Sequence, residues 1–401
     1  MELNLSTLLI VTVIAVAAPL IAELPVGLRL PIVVLEISLG VLVGPHGLAV
    51  ASAEGVLRFL ALLGLTFLFF LAGLEIDFQR IRGRPLALAA MGWLVSLGLA
   101  AGIVAVLFAA GFVRAPVLLT IALTTTAIGT LLPILRDSGE LATRFGHFVL
   151  AAGAVGELGP IVAMSVIVTR QDSRWERLGL MLAFVGITAL AVVVALRVHP
   201  PNAVALFART MHAASQLPIR ICILLLVALV TLADTFGLDV ILGAFAAGLI
   251  VGLANRVEPR REQTLHHKLD AIGFGFLVPI FFVASGIRLD LGALFESPAA
   301  FVRLPVFLLL FLVVRGAPAL LYSGDLDRSD LVPLALYSST GLPLVVAIGE
   351  LGVATGRMRS DNAAALIGAA ILSVLLFPLL ALAARNRLRR TASARASRRT
   401  G

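Results

Sequence analysis

The sequence predicts an all-α polytopic membrane protein of about 13 transmembrane helices, with inverted-topology repeats and two crossed discontinuous helices. The first observation is composition: 60% of the 401 residues are hydrophobic, 13% are charged and the mean hydropathy is +1.07. Soluble chains carry about 25% charged residues. The second is that apolar stretches of about 20 residues, the length that crosses a bilayer, recur between short polar loops. The third is that two of these stretches are interrupted in the same manner.

The thirteen apolar segments form a membrane domain over residues 1–384, followed by a basic tail at 385–401 that could touch anionic lipid head groups. The leader of the first segment, MELNLS, has no basic residue, and no small-residue cleavage site follows, so this segment is read as a retained helix. The predicted segments are 5–22, 28–44, 56–75, 86–110, 115–135, 146–169, 178–197, 217–235, 238–254, 270–287, 303–323, 331–350 and 362–384.

Basic residues indicate the orientation of the chain. With the N-terminus outside, the cytoplasmic loops and tail hold roughly twice the Lys and Arg of the opposite set, as the positive-inside rule requires. The loop RQDSRWER is the main exception. We therefore expect a multi-pass protein of the cell inner (plasma) membrane with a cytoplasmic C-terminus. The net charge of +8 then reflects topology, and no nucleic acid partner is expected.

Segments five and twelve each contain a hydroxyl cluster followed by helix breakers. Segment five continues with Gly129 and Pro133, and segment twelve with Gly341 and Pro343. The hydroxyl residues are Thr124, Thr125, Thr126, Ser338, Ser339 and Thr340. Because the two segments are seven apart, they cross the membrane in opposite directions, which points to an inverted-repeat transporter with its site at the breaks. The alternative is that small and hydroxyl residues only allow close helix packing.

The stretch GAVGELGPIVAM places Glu157 midway along segment six. A charge at that depth costs roughly 3 kcal/mol or more, so it rarely persists without a function or a partner. Burial favours the protonated carboxyl, whereas a nearby cation favours the ionised one. A carboxyl balanced between these effects can exchange a proton for a cation near neutral pH. The alternative is a structural glutamate that is protonated or paired with another helix.

Segment eleven carries Arg315 at a depth where a guanidinium needs a counter-charge, carbonyl oxygens or water. Two interpretations stay open: a direct ion pair with Glu157, or a cap on the exposed carbonyl end of a broken helix. Glu350, at the end of segment twelve, is a weaker site candidate. Glu36, in segment two, is a weaker one still and is expected to be a hydrogen-bonded structural residue.

Signatures of enzymes are scarce in the sequence. It contains no phosphate-binding Gly/Lys loop, no HExxH and no metal-binding cysteine spacing, since Cys222 is the single cysteine. We therefore expect no enzymatic activity and no cofactor.

Four blocks resemble, in order and spacing, the Kef-type monovalent cation:proton antiporters, whose membrane domain has a sodium/proton exchanger-like fold. The blocks are VLEISLGVLVGPHGL, LALLGLTFLFFLAGLEIDF, LADTFGLDVILGAFAAGLIVG and FGFLVPIFFVASGIRLDL. The resemblance implies a mobile core, about 86–169 and 303–384, that moves like an elevator against a dimerising scaffold, about 5–75 and 217–287. A linker helix at about 178–197 would join them.

The resemblance also implies the ion site. The family's acidic pair falls on Gly156–Glu157, so only the second position is acidic, and the family's basic residue falls on Arg315. It implies a homodimer in the lipid bilayer that exchanges Na+ or K+ for H+, with the transported cation or the proton on Glu157, hydroxyl ligands from both breaks and Arg315 compensating charge. With so few titratable groups we expect electroneutral exchange.

Other functions remain open. A proton- or sodium-coupled carrier of an organic solute would use the same fold, with the lost polar position making room for a larger substrate. A potassium channel would need a carbonyl filter such as TVGYG, which is missing, and a membrane protein without transport activity is the third alternative. About 17 residues follow the last helix, so we expect no nucleotide-binding regulatory domain on this chain.

Overall fold

The computed structural model describes residues 5–23, 31–76, 81–141, 143–167, 174–197, 210, 215–255, 259–290 and 298–397. Within these ranges every regular element is helical, and nine helices are long and apolar enough to cross a membrane. Three shorter apolar helices accompany them. The prediction of an all-α polytopic membrane protein is confirmed.

The helices are numbered in chain order. The first eight are α1 (Leu5–Ala22), α2 (Ile32–Val43), α3 (Val56–Glu75), α4 (Arg84–Ala109), α5 (Pro116–Leu123), α6 (Ile128–Asp137), α7 (Arg144–Ile167) and α8 (Arg174–Arg197). The others are α9 (Leu217–Thr235), α10 (Val240–Asn255), α11 (Pro259–Ile272), α12 (Val278–Arg288), α13 (Pro298–Gly316), α14 (Arg328–Ser338), α15 (Pro343–Ala354) and α16 (Ser360–Ser397). A π-helical turn, Gly273–Leu277, joins α11 to α12, and a 3-10 helix, Ala317–Gly324, continues α13.

The predicted bounds agree with the structure where an apolar run has polar flanks, as in α1, α3 and α9. The tenth segment begins earlier than predicted, at Pro259, because the polar α11 contributes no hydropathy signal. Segments five and twelve each consist of two helices, α5 with α6 and α14 with α15. The first residues of segment two, the last of segment six and the end of the tail at 398–401 lie outside the described residues.

The chain divides into two compact units. Unit 1 comprises Met1–Val26, Leu35–Asp77 and Ile161–Arg288. Its helices pack closely at glycines: a Cβ on Gly248 of α10 would lie 1.8 Å from the carbonyl oxygen of Phe70, and one on Gly73 of α3 would lie 2.2 Å from that of Phe245. Small residues are typical where membrane helices approach at backbone distance.

Unit 2 comprises Gly27–Val34, Phe78–Pro160 and Leu289–Gly401. Arg385, on α16, joins three of its parts. Its Nη2 donates to Glu140 Oε2 at 2.8 Å, its Nη1 donates to Asp330 at the start of α14, and its guanidinium lies 4.1 Å from the centre of the Phe145 ring. Thr143 Oγ1 also donates to Glu140 Oε2, at 3.1 Å. We call this group the Arg385 clamp.

A second ion pair in unit 2 lies after α13. Arg84 Nε donates to Asp325 Oδ1 at 2.6 Å, and Arg144 Nη2 lies 3.4 Å from the same oxygen. The hydrogen bond from Arg84 lowers the pKa of the Asp325 carboxyl. A lowered pKa stabilises the fold above the ordinary carboxyl range, and this contribution is lost only as the pH falls through the lowered value. Asp325 therefore imposes no pH dependence near neutrality.

We expect Arg385→Ala to destabilise unit 2 strongly. The Glu140 side chain is 4% exposed and that of Arg385 is 16% exposed, and removing one partner of a buried pair typically costs about 3–5 kcal/mol. The thermal unfolding midpoint in detergent should fall by about 5 °C or more. Arg357→Ala is the control, because Arg357 is an exposed arginine of unit 2 and exposed charges contribute little to stability. Equal thermal midpoints for the two variants would contradict the prediction that the Arg385 clamp stabilises unit 2.

Candidate functional site

The two interrupted helices of unit 2 meet at their breaks. The first break separates Leu123 of α5 from Ile128 of α6, and the second separates Ser338 of α14 from Pro343 of α15. The Ala127 N–H donates to the Thr340 carbonyl at 2.8 Å, so one backbone hydrogen bond links the two breaks. The predicted pair of crossed discontinuous helices is confirmed.

The breaks differ in how the breaker residues act. Pro343 is the first residue of α15, where a proline's missing N–H has no intrahelical partner to lose. Pro133 instead lies inside α6, and Gly129 is its second residue. The first break therefore lies at the threonines. The pattern of helix breakers had suggested that it would lie at the glycine and proline that follow them.

Four of the six predicted hydroxyl groups donate to carbonyl oxygens one turn earlier in their own helix. The bonds are Thr124 to Ile121 at 2.8 Å, Thr125 to Ala122 at 2.9 Å, Ser339 to Ala335 at 2.7 Å and Thr340 to Leu336 at 3.2 Å. These four carbonyls also accept backbone N–H groups of the last turn, so each hydroxyl adds a second hydrogen bond at the end of its helix. Each hydroxyl oxygen keeps its lone pairs, so these side chains can still act as oxygen ligands.

Thr126 connects the first break to three other helices. Its Oγ1 donates to the Ser338 carbonyl at the end of α14, at 2.5 Å, and accepts from Arg315 Nη2 at 2.7 Å and Nε at 3.0 Å. Its backbone N–H donates to the Gly156 carbonyl of α7 at 2.9 Å. Of the three threonines, Thr126 is thus the one whose side chain forms hydrogen bonds with residues of other helices.

Arg315, at the end of α13, is 4% exposed. Besides Thr126, it donates from Nη1 to Ser96 Oγ at 3.3 Å, from Nη2 to the Ala152 carbonyl at 3.1 Å and from Nε to the Ser338 carbonyl at 3.3 Å. In the described part of the chain these hydrogen bonds all go to hydroxyl or carbonyl oxygens. The contact with Ser338 corresponds to a cap on the carbonyl end of a broken helix. Whether Arg315 compensates charge at the site stays a prediction.

The region around Glu157 is tightly packed. A Cβ on the preceding Gly156 would lie 2.5 Å from Arg315 Nη2 and 2.7 Å from Thr126 Oγ1, and one on Gly159 would lie 2.4 Å from the Trp93 ring. The absence of a side chain at position 156 therefore lets the guanidinium and the threonine approach α7. Glu157 itself is buried, at 5% exposure, directly after this contact.

The weaker candidates lie on two other helices. Glu350 is partly buried on α15, and Glu36 is buried on α2, in the part of that helix that belongs to unit 1. Sequence reasoning missed Ser96, which is fully buried on α4 and contacts Arg315. Its only signal was a lone hydroxyl in an apolar helix. Among the described residues, no group of three or more His, Cys, Asp or Glu side chains could hold a metal ion.

Several proteins resemble this chain along most of its length. The transmembrane sodium/hydrogen exchanger family matches residues 10–382. YjbQ of Bacillus subtilis, a candidate Na+/H+ antiporter, is 28% identical over 94% of this chain and 62% of its own. The Na+/H+-K+ antiporter GerN of Bacillus cereus is 22% identical over 92% of this chain and 93% of its own.

A solved structure shares the fold. The sodium proton antiporter MjNhaP1 of Methanocaldococcus jannaschii matches with a TM-score of 0.67 at 17% identity, over 93% of this chain and 95% of that one. The chain spans 62% of YjbQ and 65% of a further candidate antiporter of Methanocaldococcus jannaschii. On the family match, this chain belongs to the transmembrane sodium/hydrogen exchangers, a family of transporters and not of enzymes.

Proposed function

We propose that this protein exchanges Na+ or K+ for H+, with Glu157 binding the cation and the proton in turn. One observation carries the proposal: a buried carboxylate follows Gly156, whose carbonyl is bonded to Thr126 where two interrupted helices cross. The names of YjbQ and GerN, which refer to Na+/H+ and to Na+/H+-K+ antiport, support the choice of ions.

The ligand set fits a hard monovalent cation. Glu157 would supply the single negative charge, and hydroxyl oxygens and unwound carbonyls at the breaks would supply neutral ligands. All of these are oxygen ligands, which hard cations such as Na+ and K+ prefer. The ligands offered are Thr124, Thr125, Thr126, Ser338, Ser339 and Thr340. The partial charges at the ends of α5, α6, α14 and α15 would add to the field at the site.

The exchange cycle follows from one carboxyl with two alternative occupants. A cation bound to ionised Glu157 and a proton bound to the same carboxyl each add one positive charge to the site, so the two loaded states carry the same net charge. One cation therefore moves for one proton, and the exchange is electroneutral. Arg315 would stabilise the empty, ionised site, because a positive charge favours a nearby carboxylate.

We further propose an elevator motion in a homodimer. The core, about 86–169 and 303–384, would move against a scaffold, about 5–75 and 217–287, with 178–197 as the linker. The four sequence blocks support a place in the Kef-type branch. The distribution of basic residues supports a cytoplasmic C-terminus in the plasma membrane.

The test uses purified protein in liposomes that contain a pH-sensitive dye and carry an imposed proton gradient. Adding Na+ or K+ should release protons from the lumen, whereas choline should not. Exchange should persist when valinomycin and K+ clamp the membrane potential, since an electroneutral cycle moves no net charge. A rate that depends on the imposed potential would refute electroneutrality. No response to any cation would refute the antiport and favour an organic solute carried by the same fold.

A further inference from the structure

A single hydroxyl group on α16 contacts the second break. Ser373 is the one polar side chain between Ala363 and Ala384, a run that is otherwise typical of a plain membrane-spanning helix. It is fully buried. Polar side chains at this depth are rare and tend to be functional. Ser373 belongs neither to the predicted ligands nor to the hydrogen bonds of Arg315, so its contacts point to a separate role.

The Ser373 hydroxyl lies within hydrogen-bond distance of both backbone polar groups of Gly341. The Gly341 N–H donates to Ser373 Oγ at 3.3 Å. The same Oγ lies 3.3 Å from the Gly341 carbonyl oxygen and 2.7 Å from the Ala370 carbonyl oxygen of its own helix. A serine hydroxyl has one proton to donate. Ser373 therefore accepts from Gly341 and can donate either back to Gly341 or to Ala370.

Gly341 depends on α16 for these bonds because it lies between two helices. The residues before it, Ser339 and Thr340, donate their N–H groups back into α14. Pro343, the first residue of α15, has no N–H. Among the residues that the structure describes, the Gly341 backbone forms hydrogen bonds only with Ser373. This serine is therefore what holds the middle of the second break to a neighbouring helix.

Gly341 also packs against the first break. A Cβ at this position would lie 2.7 Å from Thr125 Oγ1 and 3.3 Å from the Thr125 carbonyl oxygen, so the lack of a side chain lets the two breaks approach. Thr125 is one of the oxygen ligands offered at the proposed ion site. The Gly341 backbone thus contacts Thr125 and is bonded to Ser373. A shift of Gly341 would change the space between the oxygen ligands of the two breaks.

We propose that Ser373 is a positioning residue that determines which monovalent cation the site prefers. This inference rests on the proposed exchange of Na+ or K+ at the breaks. Through Gly341, Ser373 fixes the separation of the second break from Thr125. A fixed separation favours Na+, the smaller ion, because selection by size needs ligands that cannot move apart. Side chains that hold the ligands of a metal ion typically change its affinity by about 10–100-fold when they are mutated.

The first test measures proton release from liposomes over a range of Na+ and K+ concentrations, which gives an apparent KM for each cation. Ser373→Ala should raise the KM for Na+ about tenfold relative to that for K+, because the second break can then move away from Thr125. Ser373→Thr keeps the hydroxyl and should restore a ratio near that of wild type. Thr66→Val is the matched control, since Thr66 is buried on α3 in unit 1 and donates to the Leu63 carbonyl of its own helix.

A second test measures binding without transport. A cation that binds the folded protein raises its thermal midpoint by mass action. In detergent, with choline as the reference for ionic strength, Na+ should raise the midpoint of wild type at a lower concentration than K+. Ser373→Ala should lose this preference, whereas Thr66→Val should keep it.

The outcomes separate the inference from the proposed function. If wild type exchanges cations and Ser373→Ala keeps the wild-type KM ratio and the wild-type preference in the melt, the inference alone is refuted. The same holds if Thr66→Val shifts the ratio as much as Ser373→Ala does. A lower thermal midpoint in Ser373→Ala with an unchanged ratio would make Ser373 a packing residue. If wild type exchanges neither cation, the proposed function fails and the inference fails with it.

Discussion

Glu157→Gln is expected to reduce cation-driven proton release to the level of empty liposomes. The amide keeps the size of the side chain but can neither lose a proton nor neutralise a bound cation, so both half-reactions of the proposed exchange disappear. Glu157 is buried on α7 beside a backbone contact with the first break. The measurement is the dye response to Na+ and K+ pulses at several pH values, with protein content matched between preparations.

Two further variants separate the loss of chemistry from the loss of fold. Glu157→Asp keeps the carboxyl on a shorter side chain and should retain reduced exchange. Asp325→Asn removes a carboxylate of unit 2 at the Arg84 pair, outside the site, and should exchange like wild type. The gel-filtration profile and thermal midpoint of Glu157→Gln should match those of wild type. Wild-type exchange in this variant would remove Glu157 from the mechanism.

Arg315→Ala is expected to have the second-largest effect, first on stability. It removes the Arg315 donor from the Ala152 carbonyl, the Ser96 hydroxyl and the Ser338 carbonyl, of which the last keeps its bond from Thr126. Hydrogen bonds to charged groups contribute about 1.5–3 kcal/mol each. The thermal midpoint should fall by about 5 °C or more. In the protein that remains folded, the pH of half-maximal exchange should rise, because a positive charge favours an ionised carboxyl nearby.

The controls for Arg315 address charge and shape separately. Arg315→Lys keeps the charge but loses the planar donor fork, so it should lower the midpoint while leaving the pH profile near that of wild type. Gly156→Ala should disturb the same hydrogen bonds from the side of α7, because its methyl group would lie 2.5 Å from Arg315 Nη2. An Arg315→Ala variant as stable as wild type, with the same pH profile, would show that the network supports neither the fold nor the site.

Much of the fold could be predicted because the hydropathy of successive residues, averaged over a run, identifies a membrane-spanning helix. The bounds of α1, α3 and α9 follow from apolar runs between polar flanks, and the two interrupted helices follow from hydroxyl residues within such runs. The same averaging fails for α11, whose charged residues hide its helical character. The helix still has an apolar face, because Leu265 and Leu269 are buried four residues apart, and a hydropathy average does not register that spacing.

The contacts of the candidate site could be predicted only in part. The three threonines look equivalent in the sequence, yet Thr124 and Thr125 donate to their own helix whereas Thr126 reaches Ser338 and Arg315. The backbone angles of the break decide which threonine side chain points away from α5. Those angles depend in turn on the contacts of the break with α14 and α7. Ser96 was missed for a similar reason, since its partner lies 219 residues away in the sequence.

The order of segments in unit 2 has a consequence for biosynthesis. Its two halves, Phe78–Pro160 and Leu289–Gly401, are separated by the last part of unit 1, and Glu140 and Arg385 are 245 residues apart. The ribosome therefore releases Glu140, Thr126 and Ala152 into the membrane long before the arginines that bind them are made. Until α13 and α16 are inserted, the first half must persist with buried polar groups awaiting partners. Such a half-built intermediate is the stage at which insertion factors and quality-control proteases would act on this protein.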